Sequence, residues 1–290
     1  MSRSRSGSIT YQIKNELLSK CRFGESRDEA KKNGTACKYI YSYGSLNTYM
    51  KQLNYMVKWA RTNDIKLKNL EDIKIHGDEW LQFCVDSKFS AWTIAVRRSA
   101  LAKLLNVPYS YFKTQIPPRK RCDIKRSRNN RNDSHFSESK NREQIIFCKC
   151  TGLRLSELKM IRGNDLFLEN GTPYLNVTKG TKGGRSRTIK IYGSPEELKL
   201  CVELAKQAGD EKIFKHVKES ANTHGYRAQF ARRVYETEAA KIDQMKLTRK
   251  DLYYCRGDKK GTVYIRQALL ITSQMLGHNR INVVPINYLY

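Results

Sequence analysis

Thr151-Gly-Leu-Arg154-Leu-Ser-Glu157-Leu158 follows directly on a run over 143–150 whose pattern is helical. Glu157 lies three residues after Arg154, so the two side chains can share one side of a helical turn, with the carboxylate orienting its neighbours. Towards the C-terminus, Asp165-Leu-Phe-Leu168, then Glu169-Asn170-Gly171-Thr172, then Pro173-Tyr-Leu-Asn-Val-Thr178 read as strand, Asn-Gly turn and strand, the pattern of a tight hairpin. A glycine-rich turn over 180–184 leads to a third strand over 188–192. Pro195 opens a helix that reaches Ala208, with proline in its first turn. Thr223 can cap a helix running to about Ala239, and 264–276 form another that Gly277 ends. The segment 138–290 is therefore expected to be one domain, mainly α with a small antiparallel β-sheet, an α+β arrangement.

Towards the N-terminus the composition breaks. Pro117-Pro118 is followed by Arg119-Lys-Arg-Cys-Asp-Ile-Lys-Arg-Ser-Arg-Asn-Asn-Arg131, in which seven of thirteen residues are basic and almost none can enter a core. This predicts a linker over 109–137. Its charge density favours a tether that also grips phosphates through Arg119, Lys120, Arg121, Lys125, Arg126, Arg128 and Arg131. Before it, Tyr49, Leu53, Met56, Val57 and Ala60 repeat at helical spacing. A second apolar run covers 67–83. A third covers 90–105, where Ile94, Ala95, Leu101, Leu104 and Leu105 interleave with Arg97, Arg98 and Lys103 before Pro108. These three runs predict a small helical domain over 45–108. Arg97 and Arg98 are candidates for DNA contact. Residues 1–44, polar and basic, read as an arm or small appendage.

The bulk charge narrows the function. Among 290 residues there are 55 Lys+Arg and 28 Asp+Glu, a formal net charge of +27. Such a surplus repels itself unless a polyanion screens it, and nucleic acid does so with release of condensed counterions. No basic amphipathic helix stands apart to suggest a membrane surface, and no stretch approaches the ~20 apolar residues of a membrane span. The segment Met1-Ser-Arg-Ser-Arg-Ser-Gly7 lacks the apolar run of a secretory signal. The eight cysteines show no C-x-x-C spacing, which favours reduced thiols over disulfides or a zinc site and points to a cytoplasmic protein, nucleoid-associated when bound to DNA.

The box around Arg154 resembles the first arginine box of the tyrosine recombinases, the phage-integrase family. His224-Gly-Tyr-Arg227 is similar to that family's H-x-x-R box, and Leu276-Gly-His278 followed by Tyr288 to its C-terminal box. The order fits, and the helical domain resembles the family's core-binding domain, so the resemblance covers roughly 45–290. It implies a two-domain DNA clamp of the integrase catalytic-core type. It also implies a site-specific recombinase that cleaves and rejoins strands through a 3′-phosphotyrosine, for integration or excision of a mobile element or phage. Its partners would be double-stranded recombination sites, three further copies of the chain at the synapse (a homotetramer on DNA), and accessory DNA-bending proteins.

The chemistry accounts for the residue types. Cutting a phosphodiester with neither a metal nor water as the attacking group requires a protein nucleophile, and a phenolic oxygen can serve. Arg154 and Arg227 would bind the phosphoryl oxygens through paired N–H donors. His224 would take the tyrosine proton or hold the phosphate, and His278 would donate to a non-bridging oxygen. Glu157 would support the arginines. In the family a lysine between the second and third strands protonates the leaving 5′ oxygen. Lys182 fits that place best, with Lys179 as competitor and Arg185 and Arg187 gripping DNA beside it. No metal or other cofactor is implied. Tyr288 is the better nucleophile than Tyr290, with Asn282 capping a helix whose second turn holds Tyr288. The 54 residues between His224 and His278 exceed the usual family interval, and the surplus around 246–261 is expected to form an added hairpin or helix on the DNA side. The alternative to an enzyme is a non-catalytic basic DNA-binding protein on the same scaffold, although such a protein has no reason to keep all six motif residues.

Overall fold

Asn170 and Gly171 both take positive φ, 49° and 73°, as a two-residue type I′ turn requires. In the computed structural model this turn joins β1 (Leu166–Glu169) to β2 (Thr172–Val177), with Glu169 opposite Thr172. β3 (Arg187–Lys190) pairs antiparallel on the other side of β2, giving the order β1-β2-β3. Leu175 and Val177 on β2 and Ile189 on β3 point into the core, while Asn176 faces out, the period-2 alternation of a half-buried sheet.

Residues 7–25, 27–120, 136–182, 186–242, 246–278 and 280–289 are described. The chain divides into a unit at 1–124 and a unit at 125–290. The first contains α1 (Ile9–Ser19), α2 (Arg27–Lys32), α3 (Tyr43–Thr62), α4 (Leu70–Ile75), α5 (Gly77–Asp86) and α6 (Ala91–Leu105). The predicted run over 67–83 is two helices. Asn69 and Asp72 form a capping box that starts α4, and α4 ends at His76 immediately before α5.

Two boundaries differ from the sequence expectation. Of the two expectations for the N-terminal segment, the arm fails and the appendage is the nearer, helical and built into the first unit, because Ile13 and Leu17 of α1 are fully buried with Leu53 and Met56 of α3. Lys20 donates to the carbonyls of Lys103 and Leu104 at 2.8 and 2.6 Å, which satisfies the open C-terminal carbonyls of α6. The linker also begins later than residue 109. Asp78 accepts from the backbone N–H of Lys113 and Thr114 at 3.1 and 3.0 Å, and Phe112 is buried, so the chain stays on the first unit through this stretch.

Arg97 also departs from its expected role. It is 5% exposed, donates to Cys84 Sγ at 2.9 Å, and lies 4.1 Å from the ring centre of Phe89 and 5.4 Å from that of Trp80. A guanidinium boxed among aromatic faces is held for packing and is corrected here from a DNA contact to a core residue. Arg98 is half-buried beside Tyr109, and Arg119 and Lys120 are exposed. Arg121, Lys125, Arg126, Arg128, Arg131 and Arg185 lie outside the described residues.

The second unit contains α7 (Arg142–Thr151), α8 (Leu155–Leu158), the sheet, α9 (Pro195–Ala208), α10 (Thr223–Ile242), β4 (Leu252–Tyr254), β5 (Val263–Ile265), α11 (Arg266–Met275) and α12 (Val283–Asn287). α9 starts with Ser194 and Glu197 in a capping box and Pro195 in the first turn. α10 is capped by Asn222 rather than Thr223, since the Asn222 side-chain oxygen accepts from Gly225 N at 3.0 Å. Tyr264, expected in the last long helix, is in β5, and the surplus between the two histidines forms the antiparallel hairpin β4–β5. Phe147, Cys148, Phe230, Leu269 and Val284 fill the core between α7, α10, α11 and α12. No described helix is long and apolar enough to cross a membrane.

Candidate active site

Gly152 sets the first part of the site. It closes α7 with φ 60°, and a Cβ there would collide with the Phe230 ring. Only glycine combines that backbone with that approach. The chain then turns so that Arg154 stands at the start of α8 and Glu157 three residues inside it.

Glu157 has no exposed surface. It accepts from the Arg154 backbone N and Nη1, both at 2.8 Å, and from Arg187 Nη1 and Nη2, both at 2.8 Å. Burial alone would raise its pKa. The hydrogen bonds and charge of Arg187, with those of Arg154, outweigh burial and hold the carboxyl at about 2. Arg187 spends its third donor group, Nε, on the Met275 carbonyl at 3.0 Å, and its side chain is 7% exposed. Its expected role as a DNA grip is therefore corrected: it is an internal brace between β3, α8 and the end of α11.

A single carbonyl draws the two motif arginines together. Leu276 O accepts from Arg154 Nη2 at 3.3 Å and also from Arg227 Nη2. Arg227, carried by α10, is 2% exposed, also donates to Gly152 O, and places Nε 3.3 Å from the Tyr288 hydroxyl. Burial and the nearby Arg154 and Arg187 lower its pKa to about 10, partly offset by Tyr288, so it stays cationic at neutral pH. Leu276 immediately precedes Gly277-His278, and so the third box anchors the first two through its backbone. Residue types and spacing carry no signal of that contact.

His278 Nε2 lies 3.1 Å from the Tyr288 hydroxyl. The His224 ring stands edge-on to the Tyr288 ring, with centroids 5.8 Å apart. Tyr288 is 5% exposed and follows α12 as its C-cap residue rather than sitting in a second turn, and Asn282 makes no side-chain cap. Tyr290 lies outside the described residues. The loop after β2 is anchored by Ser156, whose hydroxyl donates to Gly180 O at 2.8 Å. Gly180 has φ 71°, and a Cβ there would strike the Ser156 carbonyl. Lys182 is exposed on this loop and belongs to the positive field at His278; Lys179 is exposed as well. The structure thus gathers Arg154, Glu157, Arg187, Arg227, His224, His278 and Tyr288, with Lys182 at the rim. Among the described residues no group of three His, Cys, Asp or Glu side chains could hold a metal ion.

Burial, then the charges of Arg227, Arg154, Arg187 and Lys182, lower the His278 pKa from 6.5 to about 4. The unfolded chain takes up this proton near the ordinary value, so between those two pH values this residue makes stability rise with pH. In the DNA-free protein, an NMR titration should show the His278 ring neutral down to about pH 5. A bound phosphate should raise its pKa by partly cancelling the cations. A midpoint near 6.5 without DNA would contradict this electrostatic picture.

No protein-family model and no curated protein sequence matches the chain. Solved structures do. A XerH site-specific recombinase bound to palindromic difH substrate in a post-cleavage complex is 13% identical, aligns over 96% of this chain and 90% of its own, and has a TM-score of 0.51. The same recombinase in a pre-cleavage complex with difH substrate is 14% identical over 97% and 92%, with a TM-score of 0.50. At such identity the likeness establishes architecture, and with the mainly helical second unit and its small antiparallel sheets it establishes that this chain has the tyrosine recombinase fold.

Proposed function

We propose that the chain is a site-specific DNA recombinase that acts through Tyr288, in the integration or excision of a mobile element or phage. The Tyr288 oxygen attacks the scissile phosphorus, forming a 3′-phosphotyrosine bond as the bond to the 5′ oxygen breaks. Religation reverses this with a partner strand's 5′-OH, so the ester keeps the bond energy and no nucleotide is consumed. Arg154 and Arg227 bind the phosphoryl oxygens. His278 takes the phenolic proton, because its Nε2 is in reach of the hydroxyl and its lowered pKa keeps the ring neutral. This moves His278 from the phosphate donor first expected to the base, and leaves His224 the second of its two expected roles, holding the phosphate. Strand exchange between two duplexes would occupy four copies of the chain.

The observation that carries this reading is the Tyr288 hydroxyl, buried and within hydrogen-bond reach of both His278 and Arg227. A scaffold that only bound DNA would have no use for that arrangement. The test is to select duplexes from a randomised library by binding, nick them, and separate the products under denaturing conditions. A protein–DNA band that resists denaturation is expected. Tight binding without such a band would favour the non-catalytic alternative.

Lys182 is proposed to protonate the leaving 5′ oxygen. Lys182→Ala should slow cleavage by ~10²–10⁴-fold on ordinary DNA. It should slow cleavage far less on DNA whose bridging 5′ oxygen is replaced by sulfur, since a thiolate leaves without protonation. Equal losses on both substrates would assign Lys182 to DNA positioning.

A further inference from the structure

The hairpin β4–β5 lies between α10 and α11 in sequence and supplies none of the motif residues. Its turn carries Lys259, whose ammonium donates to Pro285 O at 2.8 Å and also to Leu289 O. Tyr264 on β5 adds a hydrogen bond from its hydroxyl to Leu289 O at 3.2 Å. The two carbonyls bracket residue 288, one three residues before it and one just after.

The segment needs such support. α12 has only five residues, and helices that short do not hold themselves. The last carbonyls of a helix lack partners within it, and a cation placed there satisfies them and suits the helix dipole. The hairpin is itself tied back to α10. The Tyr264 and Tyr235 rings meet edge-on with centroids 5.3 Å apart, and Ile265 N donates to the Tyr235 hydroxyl at 3.0 Å. Tyr235 lies on the helix that carries His224 and Arg227. A chain of contacts therefore runs from α10 through the hairpin to both sides of Tyr288.

We propose that Lys259, seconded by Tyr264, is a positioning residue that latches Tyr288 against His278 and Arg227 of its own chain. This rests on Tyr288 being the nucleophile. Lys259 touches no reacting atom. It restricts the approach of the phenolic oxygen, and misplacement by about 1 Å can cost ~10²-fold in rate.

The test compares the unaltered full chain with K259M and K259R. Amide exchange over 283–289 reads the latch directly, since Tyr288 N and Leu289 N both bond to Val284 O at 2.9 and 3.2 Å. K259M should speed exchange there at least tenfold. It should slow single-turnover adduct formation on the selected nicked duplex 10- to 100-fold and leave the DNA concentration for half-saturation within about twofold. K259R should restore most of both losses. Unchanged exchange would overturn the latch, as would an unchanged adduct rate in a K259M chain whose segment exchanges faster. Parallel losses of rate and DNA affinity that K259R does not rescue would make Lys259 a structural residue only. If the unaltered chain forms no adduct at all while K259M still speeds exchange, the recombinase reading fails, and the positioning role falls with it.

Discussion

Tyr288→Phe should abolish covalent attachment to DNA while leaving fold and DNA affinity almost unchanged. The substitution removes one oxygen and keeps the ring, which is 5% exposed and packed against the core of the second unit. Two hydrogen bonds disappear, one to His278 at 3.1 Å and one to Arg227 at 3.3 Å. Their loss should cost ~1–3 kcal/mol of stability, since Arg227 keeps its bonds to Gly152 O and Leu276 O. The nucleophile has no substitute at that place, so the adduct should fall at least ~10⁴-fold, the scale seen when a catalytic nucleophile is removed. Tyr290→Phe should keep the adduct. A band that persists in the Tyr288 variant and vanishes in the Tyr290 variant would reassign the nucleophile.

Glu157→Ala is expected to be the most destabilising single change in the site. It removes the carboxylate that receives four N–H donors and leaves Arg187, 7% exposed, with a buried unpaired charge. Breaking one partner out of a buried ion pair costs ~3–5 kcal/mol. Denaturant unfolding should show a loss of that order in ΔG, with adduct formation falling too because Arg154 loses its anchor. Glu157→Gln keeps the shape and one acceptor oxygen and should be milder at neutral pH, yet it should change the acid response. The folded carboxyl titrates at about 2 against 4.5 for the free group, so its contribution is complete above the higher value and disappears as pH falls towards the lower one. The Gln variant should lack that part of the acid loss. If wild-type and Gln proteins lost stability in parallel across this range, Glu157 would not be the ion-pair centre described here.

Much of the second unit was legible along the chain because its signals are local. The Asn170-Gly171 turn, the proline at the start of α9 and the alternation of β2 each depend on residues within a few positions of one another, where backbone sterics and hydrogen bonding decide. The three boxes were legible as residue types in order. Their resemblance named the fold before any contact was known, and Gly152, Arg154 and Glu157 stand in the structure on one local turn, as their spacing required.

Other features depended on contacts between distant segments, and there local reasoning failed. Residues 9–19 are polar enough to read as an arm, yet three apolar side chains on one face are buried in the first unit, and tertiary packing decides for a short amphipathic helix. Arg97 and Arg187 have the composition of DNA contacts. Only the fold encloses one in an aromatic box and pairs the other with a carboxylate thirty residues earlier. The charge of an arginine is fixed by its chemistry, whereas the group it neutralises is fixed by what the fold brings within reach. The same holds for the Leu276 carbonyl shared by Arg154 and Arg227, for the choice of His278 over His224 beside the Tyr288 hydroxyl, and for Lys259 on its hairpin. The sequence by itself determined which chemical groups are present and the local turns that present them. Tertiary structure decided which groups meet, because hydrogen bonds and ion pairs act over ~3 Å and sequence separation sets no bound on that distance.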